Sequence, residues 1–251
     1  FPGEAFAPKP GAFQIRVDGS CFSGEEIRLN LPGLKGRLQF HNASKWPVRW
    51  YAPGIMGPFS FVPFLECYHG IISMDHSISG QLKYNGRHVD FTGGRGYLEK
   101  DWGHSFPGAY IWMQSNHFSR PQTAIKLSLA RIPFLGKRHT GFIAGLLAEG
   151  KLYQFTSYDL SRLHTASLDN DKVTIVLKGR KYILEIEALK NKATELKSPV
   201  AGFMDGRIEE SLTAVLQVKL VKKSNGEVIM QDTGRNAGLE IAGKTNELLT
   251  G

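Results

Sequence analysis

Most of this sequence consists of short segments in which apolar and polar residues alternate, and turn-forming residues separate one segment from the next. A period of two places successive side chains on opposite faces of an extended strand. The segments with this pattern are residues 13–17, 37–41, 69–76, 80–84, 110–115, 124–132, 141–147, 151–158, 172–177, 182–189, 209–221 and 227–231. Such a series is typical of an antiparallel β-barrel or sandwich.

Two local patterns refine this prediction. The run Tyr84-Asn85-Gly86-Arg87 is the clearest hairpin signal, because Asn-Gly favours the type I′ turn that matches the twist of paired strands. A helix is predicted only near the end of the chain, over residues 240–249, where the spacing of Leu and Ile residues is ambiguous. The rest of the chain is predicted to be all-β.

Composition places the chain among globular proteins. Its 251 residues, 41% of them hydrophobic, are enough to bury a substantial core. The formal charge of +8 comes from 31 Lys and Arg residues against 23 Asp and Glu residues. Because the basic residues are scattered along the chain, they predict a generally basic surface and no nucleic-acid partner.

Targeting and compartment are weakly constrained by the sequence. No apolar run approaches the roughly twenty residues of a membrane-spanning helix. The two cysteines, Cys21 and Cys67, lack metal-site spacing and favour a reducing compartment. The expected location is the cytoplasm or a membrane periphery, and a targeting segment cannot be judged because the chain opens on Phe1 rather than on Met.

An aromatic segment, residues 46–64, interrupts the strand pattern. Its four prolines exclude a central strand or a long helix, so we expect a loop that packs over another part of the protein. Such a loop at the mouth of a barrel lines a hydrophobic ligand cavity, although a plug that simply caps the barrel explains the same residues. The candidate substrate contacts in this segment are Trp50, Tyr51, Met56, Phe59 and Phe61.

A second unusual segment, residues 93–107, concentrates glycines, acids, Trp and His. Read as a strand, it places Tyr97, Glu99 and Asp101 on one face and Trp102 and His104 on the other. The chemical interpretation is a site on this strand. The alternative is a bulged barrel strand with solvated acids.

Several long motifs resemble those of the tocopherol cyclase family. They are residues 51–70, Met74-Asp75-His76, Gly96-Tyr97-Leu98-Glu99-Lys100-Asp101-Trp102-Gly103, Trp112-Met113-Gln114-Ser115-Asn116-His117-Phe118 and Thr233-Gly234-Arg235-Asn236-Ala237-Gly238-Leu239-Glu240. The resemblance covers nearly the whole chain. It implies two lipocalin-like antiparallel β-barrel or sandwich halves packed together, residues 1–120 and residues 121–251. It also implies a further strand region with a Gly-Trp-Tyr-like segment before Phe1, without which the first half lacks strands.

The resemblance further implies the closure of a prenylated quinol to a chromanol, which is an intramolecular lyase or isomerase reaction that needs no cofactor. The expected partner is a hydrophobic small molecule, an isoprenoid quinol or another lipid, with peripheral contact to a membrane. A non-catalytic lipocalin-like carrier of the same kind of ligand is the alternative.

Cyclisation requires an acid that protonates an alkene, a dry cavity, and a means of stabilising the resulting cation. A carboxyl group in an apolar pocket has a raised pKa and stays protonated near neutrality, so Asp101 is the first candidate acid and Glu99 the second. His76 and the neighbouring Asp75 are further catalytic candidates, and His69, His76 and His117 are the candidates for accepting the phenol proton or orienting the acid.

The remaining candidates are expected to bind substrate. Aromatic faces stabilise positive charge without trapping it as a nucleophile would. The substrate contacts expected outside the aromatic loop are Tyr68, His69, Trp102, Trp112, Asn116 and His117. The His and acid spacings are not those of a known metal site, so no metal is expected. The sequence also lacks hydrolase, zinc-protease, NTPase and dinucleotide fingerprints.

Overall fold

The computed structural model describes residues 1–9, 11–134 and 137–249. Within these ranges the chain forms eighteen strands and three short 3₁₀ segments, Gly3–Ala5, Gly57–Phe61 and Thr245–Glu247, and no α-helix. The strands are β1 (Phe6–Pro8), β2 (Gln14–Val17), β3 (Ser20–Ser23), β4 (Glu26–Leu31), β5 (Leu34–His41), β6 (Cys67–Tyr84), β7 (Arg87–Asp90), β8 (Arg95–Gly103), β9 (Ala109–Ser115), β10 (Ala124–Phe134), β11 (Lys137–Ala148), β12 (Lys151–Thr156), β13 (Arg162–Asp169), β14 (Lys172–Lys178), β15 (Tyr182–Leu189), β16 (Thr194–Val200), β17 (Phe203–Lys222) and β18 (Val228–Gly243). The predicted all-β class is confirmed.

The strands form two sheets. The first has eight strands in the order β1-β2-β3-β4-β5-β6-β7, with β8 paired to β6. The second has ten strands in the order β12-β11-β10-β9-β18-β17-β15-β14-β13, with β16 paired to β17. Neighbouring strands within each sheet run antiparallel.

The hairpin prediction is confirmed and the helix prediction is wrong. Asn85 and Gly86 both have positive φ, 47° and 86°, in a two-residue turn that pairs Tyr84 with Arg87, as a type I′ turn requires. The end of the chain instead continues β18 to Gly243, where Glu240 pairs with Trp112 of β9. Pairing with β9 decides the structure here because tertiary contacts override a weak local pattern.

Contacts divide the chain into two compact units, residues 1–46 with 71–99 and residues 47–70 with 100–251. The second unit holds a large apolar core built from alternate residues of its strands. Ile111, Leu127, Phe155 and Leu216 are among its buried members. The division of the chain into halves at residue 120 stays a prediction.

Candidate functional site

An apolar pocket lies on the second sheet, on the face opposite the core of that unit. Along β10, Leu127 and Leu129 belong to the core, whereas the alternate residues Ser128, Ala130 and Ile132 line the pocket. Its volume is about 220 Å³. The remaining lining residues are Met56, Phe59, Leu65, Glu66, Cys67, His69, Pro107, His139, Thr140, Gly141, Phe142, Ile143, Ser157 and Tyr158.

The aromatic segment forms one wall of this pocket because Tyr158 holds it against the sheet. The Tyr158 hydroxyl donates a 2.6 Å hydrogen bond to the carbonyl oxygen of Ile55, and Ile55 is fully buried. Gly57 has φ of 54°, and a Cβ atom at this position would come within 2.5 Å of the Tyr158 ring. Burial raises the pKa of Tyr158 to about 12, so the hydroxyl keeps its proton over the physiological range.

Only part of the aromatic segment faces the pocket. Of the five contacts predicted from it, Met56 and Phe59 line the pocket wall. Trp50 and Phe61 are 89% and 63% exposed. Tyr51 is also exposed, and its hydroxyl accepts a 2.6 Å hydrogen bond from Arg49. The loop therefore contributes Met56 and Phe59 to the pocket wall and also carries an exposed aromatic surface.

A histidine–aspartate pair stands at the pocket wall. His69 lines the pocket, and its Nδ1 atom lies 2.7 Å from Oδ1 of Asp101, which does not itself line the pocket. The His69 backbone N–H contacts Sδ of Met56 at 3.1 Å, which ties β6 to the aromatic loop. A hydrogen bond from Nδ1–H to a carboxylate fixes the imidazole tautomer and orientation. The pair can therefore take up or release a proton at the pocket surface.

Gly103 permits the close backbone approach beside this pair. Its φ is 149°, and a Cβ atom there would come within 2.2 Å of the carbonyl oxygen of Glu66. Glu66 immediately precedes β6, and Asp101 lies two residues before the end of β8. The glycines that the sequence concentrates around Asp101 thus include one that lets two backbones meet near the histidine–aspartate pair.

The predicted aromatic contacts Tyr68 and Trp102 pack on each other rather than into the pocket. Their rings stack at 5.5 Å with an interplanar angle of 10°, and Nζ of Lys100 lies 4.8 Å from the centre of the Trp102 ring. The Tyr68 hydroxyl donates to the carbonyl oxygen of Val62 at 2.9 Å. The phenyl and phenol rings that line the pocket belong to Phe59, Phe142 and Tyr158.

The three candidates from β9 and its end lie in different environments. Trp112 pairs with Ser128 of β10, so both side chains share the face of the sheet that carries the pocket. Asn116 is buried just beyond the end of β9. His117 is exposed and forms an isolated bridge with Arg235. Of the three, only Trp112 is on a strand and face that adjoin the pocket.

Several polar side chains on this face were not among the sequence candidates. The Tyr110 hydroxyl donates a 2.7 Å hydrogen bond to Oε2 of Glu240. Burial and the neighbouring carboxylate of Glu240 raise the pKa of Tyr110, with smaller contributions from Cys67 and Asp101. Tyr110 therefore remains a hydrogen-bond donor near the pocket. The alternation of Tyr110 with the core residue Ile111 is the signal that places it here.

Three of the four predicted catalytic residues, Asp75, His76 and Glu99, belong to the first unit. Asp75 is buried and accepts two hydrogen bonds from Arg95, at 2.9 and 2.5 Å. Glu99 accepts a short hydrogen bond from the Tyr97 hydroxyl. Within this unit, Asp75 is therefore engaged in an ion pair, and Glu99 is held by a phenol.

His76 is buried among partners of its own unit. Its Nδ1 atom lies 3.0 Å from the Ser73 hydroxyl, its ring centre lies 4.3 Å from that of Phe40, and a Cβ atom at Gly96 would come within 2.2 Å of Nε2. The Ser73 hydroxyl donates to the carbonyl oxygen of Asp75. The Ser73 hydroxyl therefore accepts a hydrogen bond from His76, so the imidazole proton lies on Nδ1.

The stability of the protein is expected to fall at mildly acidic pH because of His76. Burial lowers the pKa of His76 and outweighs the opposing effect of Asp75. Below about pH 6.5, the ordinary histidine value, the unfolded chain binds a proton that the folded chain does not, so the free energy of unfolding decreases until the pH reaches the lowered value. Urea unfolding measured between pH 7.5 and pH 5 should show a smaller pH dependence in His76→Gln.

The matched control for this measurement is His88→Gln, which removes an exposed histidine of β7 in the same unit. This variant should keep the pH dependence of the wild-type protein. An unchanged pH dependence in His76→Gln would contradict the assignment of the acid sensitivity to the buried imidazole.

The fold and the pocket together define an all-β protein with an apolar pocket whose wall carries a histidine–aspartate pair. The chain belongs to the tocopherol cyclase-like family, whose model matches residues 40–243. Over 198 residues it is 25% identical to the chloroplastic tocopherol cyclase of Zea mays and 27% identical to the Oryza sativa subsp. japonica protein named "Probable tocopherol cyclase, chloroplastic". Each alignment covers 72% of this chain and 40% of the relative, so the chain spans well under half of these proteins.

Two solved structures share the fold. Kievitone hydratase from Nectria haematococca has a TM-score of 0.51 and 13% identity, covering 97% of this chain and 70% of that one. A Nitrosomonas europaea protein described as a "putative AttH" has a TM-score of 0.50 and 15% identity, covering 94% of this chain and 72% of that one. These similarities confirm the predicted lipocalin-like fold class. Within the part of the chain that the structure describes, no helix has the length and apolar character needed to span a membrane.

Proposed function

We propose that this protein closes a prenylated quinol to a chromanol by protonating an alkene, which the neighbouring phenol oxygen then attacks. The observation that carries the proposal is the apolar pocket whose wall includes His69, hydrogen-bonded to Asp101 at 2.7 Å. Membership of the tocopherol cyclase-like family supports the same reaction class. The substrate class, the reaction and the residues that perform it are all parts of this proposal.

The size of the pocket suits the reacting part of such a substrate. A dry cavity of about 150 Å³ accommodates benzene, and pockets for drug-sized ligands begin at roughly 300 Å³. A pocket of about 220 Å³ therefore has room for an aromatic ring with its first isoprene unit, but not for a long prenyl tail. The rest of the tail would follow the exposed aromatic residues of the loop, including Trp50 and Phe61.

The proposed proton transfer needs only the chain's own residues. Asp101 supplies the proton through His69, which lines the pocket, so the histidine–aspartate pair protonates the less substituted alkene carbon and leaves a tertiary cation on the other carbon. The phenol oxygen forms the new C–O bond to this cation, and the phenol proton returns to the histidine–aspartate pair. The product is an isomer of the substrate, so the reaction consumes no cofactor. Glu99 remains a second candidate acid.

Stabilisation of the cation is assigned to the rings in the pocket wall. Phe59, Phe142 and Tyr158 present aromatic surface there. Aromatic faces attract a cation by roughly 0.5–2 kcal/mol, and by more where water is excluded. An apolar wall also limits capture of the cation by water, which would give a tertiary alcohol instead of the ring.

The alternative is a carrier that binds the same ligand without converting it. The observation that favours this function is the combination of an apolar pocket with an exposed aromatic loop, because binding alone requires no acid. Contact with a membrane surface is part of both proposals, since Trp50, Phe61 and Phe64 are exposed on one segment of a protein with net charge +8.

The test is to incubate the protein with a short-chain prenylated benzoquinol and to analyse the products by chromatography and mass spectrometry. We expect a chromanol of unchanged mass. A product heavier by one water would show cation formation without ring closure and would contradict the proposed phenol attack. Binding without conversion would favour the carrier. Supplying the quinol in anionic vesicles as well as in detergent tests membrane contact, which predicts faster conversion from vesicles.

A further inference from the structure

Lys126 is a fully buried lysine beside the pocket-lining Ser128. It lies on β10 between the core residues Ile125 and Leu127, so its side chain projects from the same face of the sheet as the pocket-lining Ser128. Its exposed fraction is 0%, and its Nζ atom lies 2.7 Å from Oγ of Ser128. Burying an ammonium group is costly unless hydrogen bonds compensate it, so the contact between Lys126 and Ser128 is important for holding this charge.

Because Ser128 accepts this hydrogen bond, its own hydroxyl proton can be donated toward the pocket. An ammonium group has three donors and no acceptor, so Nζ of Lys126 donates and Oγ of Ser128 accepts. The hydroxyl proton of Ser128 is then available, and among the residues that the structure describes no protein acceptor takes it. Because Ser128 lines the pocket, this proton can be donated to a ligand oxygen.

Ser157, the other serine in the pocket wall, is arranged differently. Its hydroxyl accepts from the backbone N–H of Phe142 at 2.7 Å and donates to the carbonyl oxygen of the same residue at 3.1 Å. Both of its bonds therefore join β11 to the loop that follows β12. The pocket thus contains one serine whose proton is free to reach a ligand and one whose proton is used within the protein.

The positive charge of Lys126 favours an anionic oxygen as the group that binds to Ser128. A hydroxyl that accepts from an ammonium group is a stronger donor, and hydrogen bonds to charged acceptors are about twice as strong as neutral ones. The other titratable groups of the pocket wall are Glu66, Cys67, His69, His139 and Tyr158, and Tyr110 with Glu240 lies on the adjoining strands of the same face. Of these, Glu66 and Glu240 oppose an anion, whereas Lys126 contacts Ser128 directly.

We propose that Ser128, polarised by Lys126, is the receptor for the phenol oxygen of the ligand and binds it preferentially as the phenolate. The ligand class is an alkylated phenol or quinol whose ring occupies the apolar pocket. Its identification with the attacking oxygen rests on the proposed cyclisation, in which a more anionic oxygen is a better nucleophile and the proton that it gives up passes to the histidine–aspartate pair. Phenolate binding itself is independent of turnover.

The experiment titrates the intact protein with 4-nitrophenol, whose ionised form absorbs visible light, at a pH where the free phenol is partly protonated. Wild-type protein should increase the phenolate absorbance on binding. Ser128→Ala should weaken phenolate binding by about tenfold, the loss expected for one hydrogen bond to a charged group. Ser128→Thr, which keeps the hydroxyl, should retain most of the affinity, and Ser167→Ala, which removes an exposed hydroxyl of β13 outside the pocket, is the control that should bind as the wild type does.

Nitrobenzene, a ring of similar size without the phenol oxygen, separates this effect from damage to the pocket, because its affinity should be equal in wild type and Ser128→Ala. Lys126→Met should also lose the phenolate preference, and Ser128→Ala provides the test if that variant fails to fold. Equal phenolate affinity in wild type and Ser128→Ala would overturn the proposal. Loss of phenolate binding in Ser128→Ala, in a protein that forms no chromanol, would sustain the receptor and refute the cyclisation.

Discussion

Replacing Asp101 with Asn is expected to lower the rate of quinol cyclisation by about 10² to 10⁴-fold, the usual contribution of a general acid. The amide keeps the size of the side chain and still accepts a hydrogen bond from Nδ1 of His69, which lies 2.7 Å from the carboxylate in the wild-type protein. It cannot supply the proton. Turnover of the prenylated benzoquinol and the thermal unfolding temperature should be measured on the same preparation, because the fold and ligand affinity should change little.

The matched control is Glu66→Gln, which removes a carboxyl group from the pocket wall but leaves the histidine–aspartate pair intact. This variant should lose less than tenfold in rate. His69→Gln should resemble Asp101→Asn, and the double variant should be little slower than either single one because the two residues act as a unit. Full turnover in Asp101→Asn would exclude Asp101 as the acid and leave Glu99 as the candidate.

Replacing Gly57 with Val is expected to detach the aromatic loop from the sheet and to destroy the pocket wall. The new Cβ atom would stand within 2.5 Å of the Tyr158 ring, and a β-branched residue is poorly accommodated at a φ of 54°. Overpacking of this kind costs about 1–3 kcal/mol of stability. Because Met56 and Phe59 would leave the pocket, affinity for an apolar ligand should fall by about tenfold or more.

Gly54→Ala is the control in the same loop, since a Cβ atom at Gly54 has no neighbouring atom within 4 Å. Its unfolding temperature and its nitrobenzene affinity should be close to those of the wild-type protein. If Gly57→Val retained both properties, the contact between Gly57 and Tyr158 would not be what holds the loop, and the hydrogen bond from Tyr158 to Ile55 would have to suffice.

Much of the fold was predictable because strand patterns and turn chemistry are local. Alternation predicted the β-strands, and Asn85-Gly86 predicted a turn that the structure confirms with both residues at positive φ. The same reasoning failed for the final segment, which was predicted to be a helix and forms a strand up to Gly243. Its Leu and Ile spacing fits either a helix or a strand, and only the pairing of Glu240 with Trp112 decides between them.

The candidate site was predictable only as separate residues. Asp101 and His69 stand out in the sequence, but they are 32 positions apart, and nothing local shows that their side chains meet. Lys126 and Ser128 were missed for the opposite reason. Alternating with Ile125 and Leu127, they have the pattern of a half-exposed strand, whose polar residues are expected to face water.

The amino-acid sequence by itself determined the all-β class, the turns and the family motifs, because these depend on neighbouring residues along the chain. The tertiary structure decided that both faces of β10 are buried at this point. Lys126, which has the pattern of a surface residue in the sequence, is therefore buried beside Ser128. The tertiary structure likewise decided which loop aromatics line the pocket and brought His69 to Asp101. The physical reason is that burial and proximity depend on strands far apart in the chain, whose pairing no local pattern specifies.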